Sequence, residues 1–119
     1  MAQERYMLLN GKYLEDAEHL LEAGDSPQAS EKLWGAVAEM VKAVAARHGW
    51  RHFSHRELWD VVQRLSRESG DDEIVDLFGL AESLHANFYE NWMAPETVRV
   101  YAARARHFIE KLRPLAAAR

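Results

Sequence analysis

The stretch SEKLWGAVAEMVKAVA, Ser30 to Ala45, decides the fold. Leu33, Val37, Met40, Val41 and Val44 recur at helical spacing, and alanines fill nearly every direction between them. A helix that is apolar almost all round is buried on more than one side. This segment is therefore expected to be the central helix of an all-α domain, with the other elements packed around it.

Working outward, the breakers Gly24-Asp25-Ser26-Pro27, Gly49 through Ser54, Ser69-Gly70-Asp71 and Ala94-Pro95 divide the chain. Every segment between them has helical periodicity, and none reads as a strand. The spacing predicts five helices, at about 3–23, 27–48, 55–69, 72–92 and 95–113, with an Ala-rich tail after Pro114. Ser54 followed by Glu57 reads as a capping box. Pro27 and Pro95 fall just inside helices, where a missing N–H costs little. Asp71 and Asp72 complement the dipole at the start of the fourth helix. Gly11, Gly35 and Gly79 lie inside helices and are expected to mark close helix–helix approach.

Short connections imply antiparallel neighbours. The expectation is a five-helix up-down antiparallel bundle forming one domain over 1–119. In that order the 2–3 loop, the end of helix 4 and the start of helix 5 share one end of the bundle. The Arg47–Arg56 loop and the His85–Asn91 turn should then touch.

Composition narrows the function classes. Of 119 residues, 48% are apolar and 29% charged, which is globular and argues against disorder. The absence of cysteine excludes a disulfide scaffold, a thiol nucleophile and a Cys-ligated zinc. No apolar run is long enough to span a membrane. The opening MAQERYMLLN carries Glu4 and lacks an apolar core, so it does not read as a signal peptide, and a cytoplasmic location is expected. The net charge of −4 hides two basic islands. One is residues 47–56, with three arginines, three histidines and no acid; the other is the last helix.

The first island, RHGWRHFSHRELW (Arg47 to Trp59), alternates cationic groups with Trp50 and Phe53. Arginines suit phosphates and aromatic faces suit bases, so Arg47, Trp50, Arg51, His52, His55 and Arg56 are candidate nucleotide or RNA ligands. A local reading competes: Arg47 and His48 favour the C-terminal dipole of their helix, and the aromatics plug the bundle end. The second element, HANFYENW (His85 to Trp92), adds His85, Asn87, Tyr89 and Asn91, an unusual polar density for the closing turns of an apolar helix.

SEKLWGAVAEMVKAVA, RHGWRHFSHRELW and HANFYENW together resemble the archaeal PaREP family of small helical proteins, of uncharacterised function, over about residues 5–113. That family is similar in turn to HEPN domains, nucleotide-binding helical bundles of higher eukaryotes and prokaryotes. His55 to Leu58 resembles the His-Asp-Leu opening of their third helix, with Arg56-Glu57 in place of Asp. No Arg-Tyr-Pro stands at His85–Trp92, where HEPN domains carry it. The resemblance implies a mostly antiparallel, often dimeric bundle, and a partnership with a nucleotidyltransferase-like protein. Some HEPN proteins are metal-independent ribonucleases using an Arg and a His four to six residues apart, late in the domain. Arg99, Arg104, Arg106 and His107 do not offer that spacing. Arg47 and His52 do, at the end of helix 2, and they are the weak catalytic candidates.

Metal chemistry is not expected, and neither is a cofactor. Glu82-x-x-His85 has the spacing of a di-iron bundle, but its nearest second copy, Asp16-x-x-His19, substitutes Asp. His48, His52 and His55 stand beside arginines, which repel cations. There is no Gly-rich phosphate loop and no Ser-His-Asp set. The reading is a HEPN-like binding or assembly module rather than an enzyme, with a nucleotide or RNA site at the 2–3 loop end. The alternatives are the ribonuclease and a non-catalytic nucleotidyltransferase partner. A homodimer is expected through the helices near Trp34 and the N-terminal half of helix 1, because Trp34, Met7, Leu8 and Leu80 lie off the main apolar stripes; the competing reading is that the short helix 3 and the tail cover these groups within one chain.

Overall fold

The computed structural model describes residues 2–117, which form five helices and, among the described residues, no strand. They are α1 (Ala2–Glu22), α2 (Ser26–His48), α3 (His55–Ser69), α4 (Glu73–Glu90) and α5 (Pro95–Ala117). The punctuation works as its chemistry requires. Asp25 caps α2 by accepting from the Gln28 N–H at 3.2 Å, with Pro27 in the first turn. Ser54 and Glu57 close a reciprocal capping box on α3. Gly49 and Gly70 end α2 and α3 in the left-handed conformation, at φ 75° and 73°, where a Cβ would be strained. Asn91 takes that role for α4 at φ 49°.

α5 runs on through Pro114 to Ala117, beyond the expected stop at 113. A proline this near the end forfeits one hydrogen bond, to Glu110. Burial offsets that loss: Leu112 and Ala116 are enclosed, and the Gln3 side-chain amide donates to the Ala116 carbonyl.

α2 is the central helix. Its apolar positions are buried nearly all round, and it packs against all four other helices. α1 covers it on one side only: Ala17 and Asn10 are its buried residues, and the Asn10 amide donates to the Ala36 carbonyl at 2.7 Å. Phe78 of α4 and Phe108 of α5 fill the other side, ring against ring.

The helix directions depart from the expected alternation. α1 is antiparallel to α2, with Asp16 beside Lys32 and Tyr6 beside Lys42. α5 is antiparallel to α1, with Arg99 on the Leu21 carbonyl and Arg106 on Glu18. α4 is antiparallel to α5, and its last turns meet the first turns of α2, where Asn87 bonds Ser30. α3 is antiparallel to α4, since His55 meets Glu82 and Trp59 meets Phe78. It follows that α3 runs parallel to α2. The reversal is made by residues 49–54. Gly49 turns the chain, Trp50 N–H bonds back to the Ala45 carbonyl, and the remaining residues climb alongside α2 until His55 reaches the level of Trp34. Six residues span roughly 20 Å when extended. This loop is long enough to return, so the short-loop rule does not apply to it.

The helical glycines divide. At Gly35 a Cβ would stand 3.0 Å from the Tyr13 ring, so α1 packs onto bare backbone there. At Gly79 the nearest group, Trp59, is at an ordinary 3.7 Å. At Gly11 nothing lies within 4 Å, which overturns the expected close approach. Gly11→Ala should therefore raise the unfolding free energy by about 1 kcal/mol, the helix-propensity difference alone. Urea denaturation checks it; an unchanged or lowered midpoint contradicts the open environment.

Candidate functional site

The basic segment is held by its own acid. Arg51 pairs with Glu57 at 2.6 Å, and the other Glu57 oxygen accepts from the Phe53 and Ser54 N–H groups at 2.8 and 3.1 Å. The Arg51 hydrogen bond, helped by that of Phe53, lowers the Glu57 pKa to about 2. A depressed carboxyl stabilises the fold above its ordinary pKa near 4.5, and that contribution is lost as pH falls toward 2. Glu57→Gln keeps an acceptor for the cap but cannot titrate. It should flatten the fall in urea midpoint between pH 4.5 and 2; an unaltered acid limb would show that Glu57 does not contribute to it.

Trp50 is covered on its ring faces, stacking on His48 at 4.6 Å with the Arg64 guanidinium 4.1 Å from its centroid. Trp50 and Arg64, with Arg51, Glu57, Asp60 and Val61, line a cleft of about 290 Å³ between the loop and α3. Arg56 pairs with Asp60 and Arg64 with Glu68, so the acids of α3 engage the neighbouring cations. Phe53 is 79% exposed. At the helix end, His48 Nδ1 donates to the Val44 carbonyl, the role that the local reading expected, and Arg47 lies against it.

His52 points the other way. It is 7% exposed, donates through Nδ1 to the Trp50 carbonyl at 2.8 Å, and meets the Tyr6 hydroxyl through Nε2 at 3.1 Å. The carbonyl only accepts, so Nδ1 carries a proton, while Nε2 shares a hydrogen bond with the Tyr6 hydroxyl. Nδ1 thus ties the loop to itself and Nε2 fastens it to α1.

His55 leaves the segment for a second cluster. Its Nε2 meets Glu82, and its ring packs on Trp34 at 5.7 Å. His85 packs on the same indole at 5.5 Å and donates through Nδ1 to Glu31 at 2.8 Å. These two histidine–carboxylate pairs clamp α3 to α4 and α4 to α2. Trp34, only 8% exposed, is thereby enclosed within its own chain by α3 and α4, and the expected dimer contact through it is not available. Composition gave no sign of Trp34, Glu31 or Glu82 acting together; Glu82-x-x-His85 was the one legible hint.

The polar turn after α4 is structural. Asn87 is fully buried, donates to Ser30 at 3.0 Å, and accepts from the Trp92 and Met93 N–H groups at 2.9 and 2.8 Å. Asn91 is the left-handed cap, its N–H bonded to the Asn87 carbonyl at 2.7 Å. Tyr89 is 71% exposed, with its ring edge-on to His85.

The expected single site is thus divided. His55 and His85 do come together, but Trp50 lies at the C-terminal level of α2, and Tyr89 and Asn91 lie near its N-terminus. The returning loop is the cause. No three His, Asp or Glu side chains among the described residues converge on a point that suits a metal. Asp16, from the sequence's second di-iron motif, is instead between Lys12 and Lys32. No helix of the described residues is long and apolar enough to cross a membrane.

Central helix, return loop and polar turn coincide with the three sequence blocks read above, and the model of the archaeal PaREP1/PaREP8 family matches residues 5–109. The chain belongs to this family. A PaREP1/PaREP8 fold of this kind is similar to the crystal structure of a protein from Sulfolobus solfataricus, at a TM-score of 0.80 and 23% identity, covering 90% of this chain and 95% of that one. The likeness concerns the fold. Comparison with curated proteins finds no match.

Proposed function

We propose that this PaREP1/PaREP8 chain is a HEPN-like binding and assembly module whose ligand is a single nucleotide, taken at the cleft of Trp50, Arg51 and Arg64. The observation that carries the reading is the composition of this cleft. It sets two guanidinium groups and an indole edge beside the Glu57 and Asp60 carboxylates, which suit ribose hydroxyls and amino groups as acceptors. Its volume is at the small end for ligand pockets, which fits a mononucleotide better than a strand. The arginines around it are already paired with acids, so little of the uncompensated charge that drives polyanion binding remains. Arg47, His52, Arg56, Asn87 and Asn91 support this end or the opposite one by structure, while His55, His85 and Tyr89 belong to the Trp34 cluster. Assembly in this reading means a homodimer through the exposed face of α1 at Leu8, or a nucleotidyltransferase-like partner.

Titration with each of the four nucleoside monophosphates, read by amide and indole shifts, tests it. Shifts at Trp50, Arg51 and Arg64 that vanish in Arg64→Ala are expected. No shift at these residues ends the nucleotide reading. Cleavage of RNA that disappears in His52→Ala would replace it with the ribonuclease alternative. That alternative asks a buried, doubly bonded His52 to leave Tyr6. Light scattering at micromolar concentration reads the homodimer; a mass of one chain ends that part.

A further inference from the structure

The end of the bundle away from the Trp50 cleft gathers the last turn of α1, the first of α2, the last of α4 and the first of α5, tied by Arg99 on the Leu21 carbonyl and Asn87 on Ser30. Trp92, 55% exposed, and Tyr89 project there from a turn whose backbone is fixed by Asn87, by the left-handed Asn91 and by the buried Met93. Three other aromatic rings are each met by a cation of the same chain: Lys32 over Tyr13, Lys42 over Tyr6 and Arg64 over Trp50. Among the described residues no cation stands over Tyr89 or Trp92. The chain segments at this end carry an excess of acid. Residues 19–28 and 88–99 carry the carboxylates Glu22, Asp25, Glu90 and Glu96 against His19 and Arg99. None of these four carboxylates has a cationic partner among the described residues, and Arg99 is engaged with a carbonyl.

We propose that this aromatic corner docks an arginine- or lysine-rich segment of another protein. Cations over Trp92 and Tyr89 gain from the ring quadrupoles, and the surrounding carboxylates add attraction and orient the approach. The rigid turn means that little ordering is needed at the aromatic anchors on binding. A symmetric second copy is the wrong occupant. A symmetric contact would set the four carboxylates against their own image. Polyanions have the wrong sign. This surface is independent of the Trp50 cleft.

The test is titration of the full chain with a labelled peptide of alternating arginine and glycine, followed by amide and indole shifts. Shifts confined to residues 19–28 and 88–99, including the Trp92 indole, are expected, with affinity falling as salt rises. Trp92→Ala and the pair Glu90→Gln/Glu96→Gln should each weaken binding about tenfold, on the scale of a desolvated cation–π contact. The pair Glu15→Gln/Asp76→Asn removes the same charge elsewhere and should leave affinity unchanged. An equal loss in that control, shifts centred on other residues, absence of binding, or preference of this corner for an RNA oligonucleotide would each overturn the proposal. Nucleotide shifts at Trp50 are read separately and survive any of these outcomes.

Discussion

Asn87→Ala should lower the unfolding free energy by about 2–4 kcal/mol, because it strips the acceptor from two backbone N–H groups and leaves that of buried Met93 without a partner. The same change removes the donor to Ser30, although Ser30 keeps its bond to the Ser26 carbonyl and stays satisfied. The deficit is therefore concentrated in the α4–α5 turn. Asn87→Asp separates the two roles, since it keeps an acceptor for the turn but loses the donor and buries a charge. Both variants should unfold at lower urea, and amide exchange at Trp92 and Met93 should accelerate in Asn87→Ala more than at residues of α1. A loss below about 0.5 kcal/mol, the level of an ordinary surface change, would contradict the assignment of Asn87 as the pin of this turn.

Trp34→Ala should cost about 3–5 kcal/mol, the range for deleting a large buried aromatic. Trp34 touches Phe78 at 5.5 Å and supports both His55 and His85, so its loss also removes the surface against which the two histidine–carboxylate clamps are packed. The penalty should be the same at low and high protein concentration, because every one of those contacts lies within one chain. Urea denaturation across a hundredfold concentration range measures this. A penalty that shrinks with dilution would mean that Trp34 contributes to an interface between copies, as its position beside Leu33 suggests when the helix is viewed alone.

Much of the architecture is local and therefore legible. Helical periodicity, prolines in first turns, the Ser54–Glu57 box and glycines at helix ends act over four or five residues, and each does in the structure what its chemistry requires. The centrality of α2 is legible for a similar reason: apolar groups all round a helix leave it no solvent face. The candidate site was less so. Arg47, Arg51 and Arg56 read as an open basic island because Glu57 and Asp60 stand just beyond it in the chain, and their reach back across the return loop is a matter of geometry. Asn87 and Asn91 read as ligands because density of polar groups does not distinguish a side chain facing solvent from one bonded to backbone.

What the sequence by itself determined is the set of five helices, their approximate ends and the helix around which they pack. These follow from short-range sterics, capping and amphipathicity. The tertiary structure alone decided the direction of α3, the burial of Trp34 and the separation of Trp50 from Tyr89. All three depend on where residues 49–54 travel. A loop of six residues is compatible with turning over to an antiparallel neighbour or with climbing back beside its own helix. The choice is made by contacts remote in sequence, His52 with Tyr6 and His55 with Trp34 and Glu82, each requiring partners that no local pattern brings together.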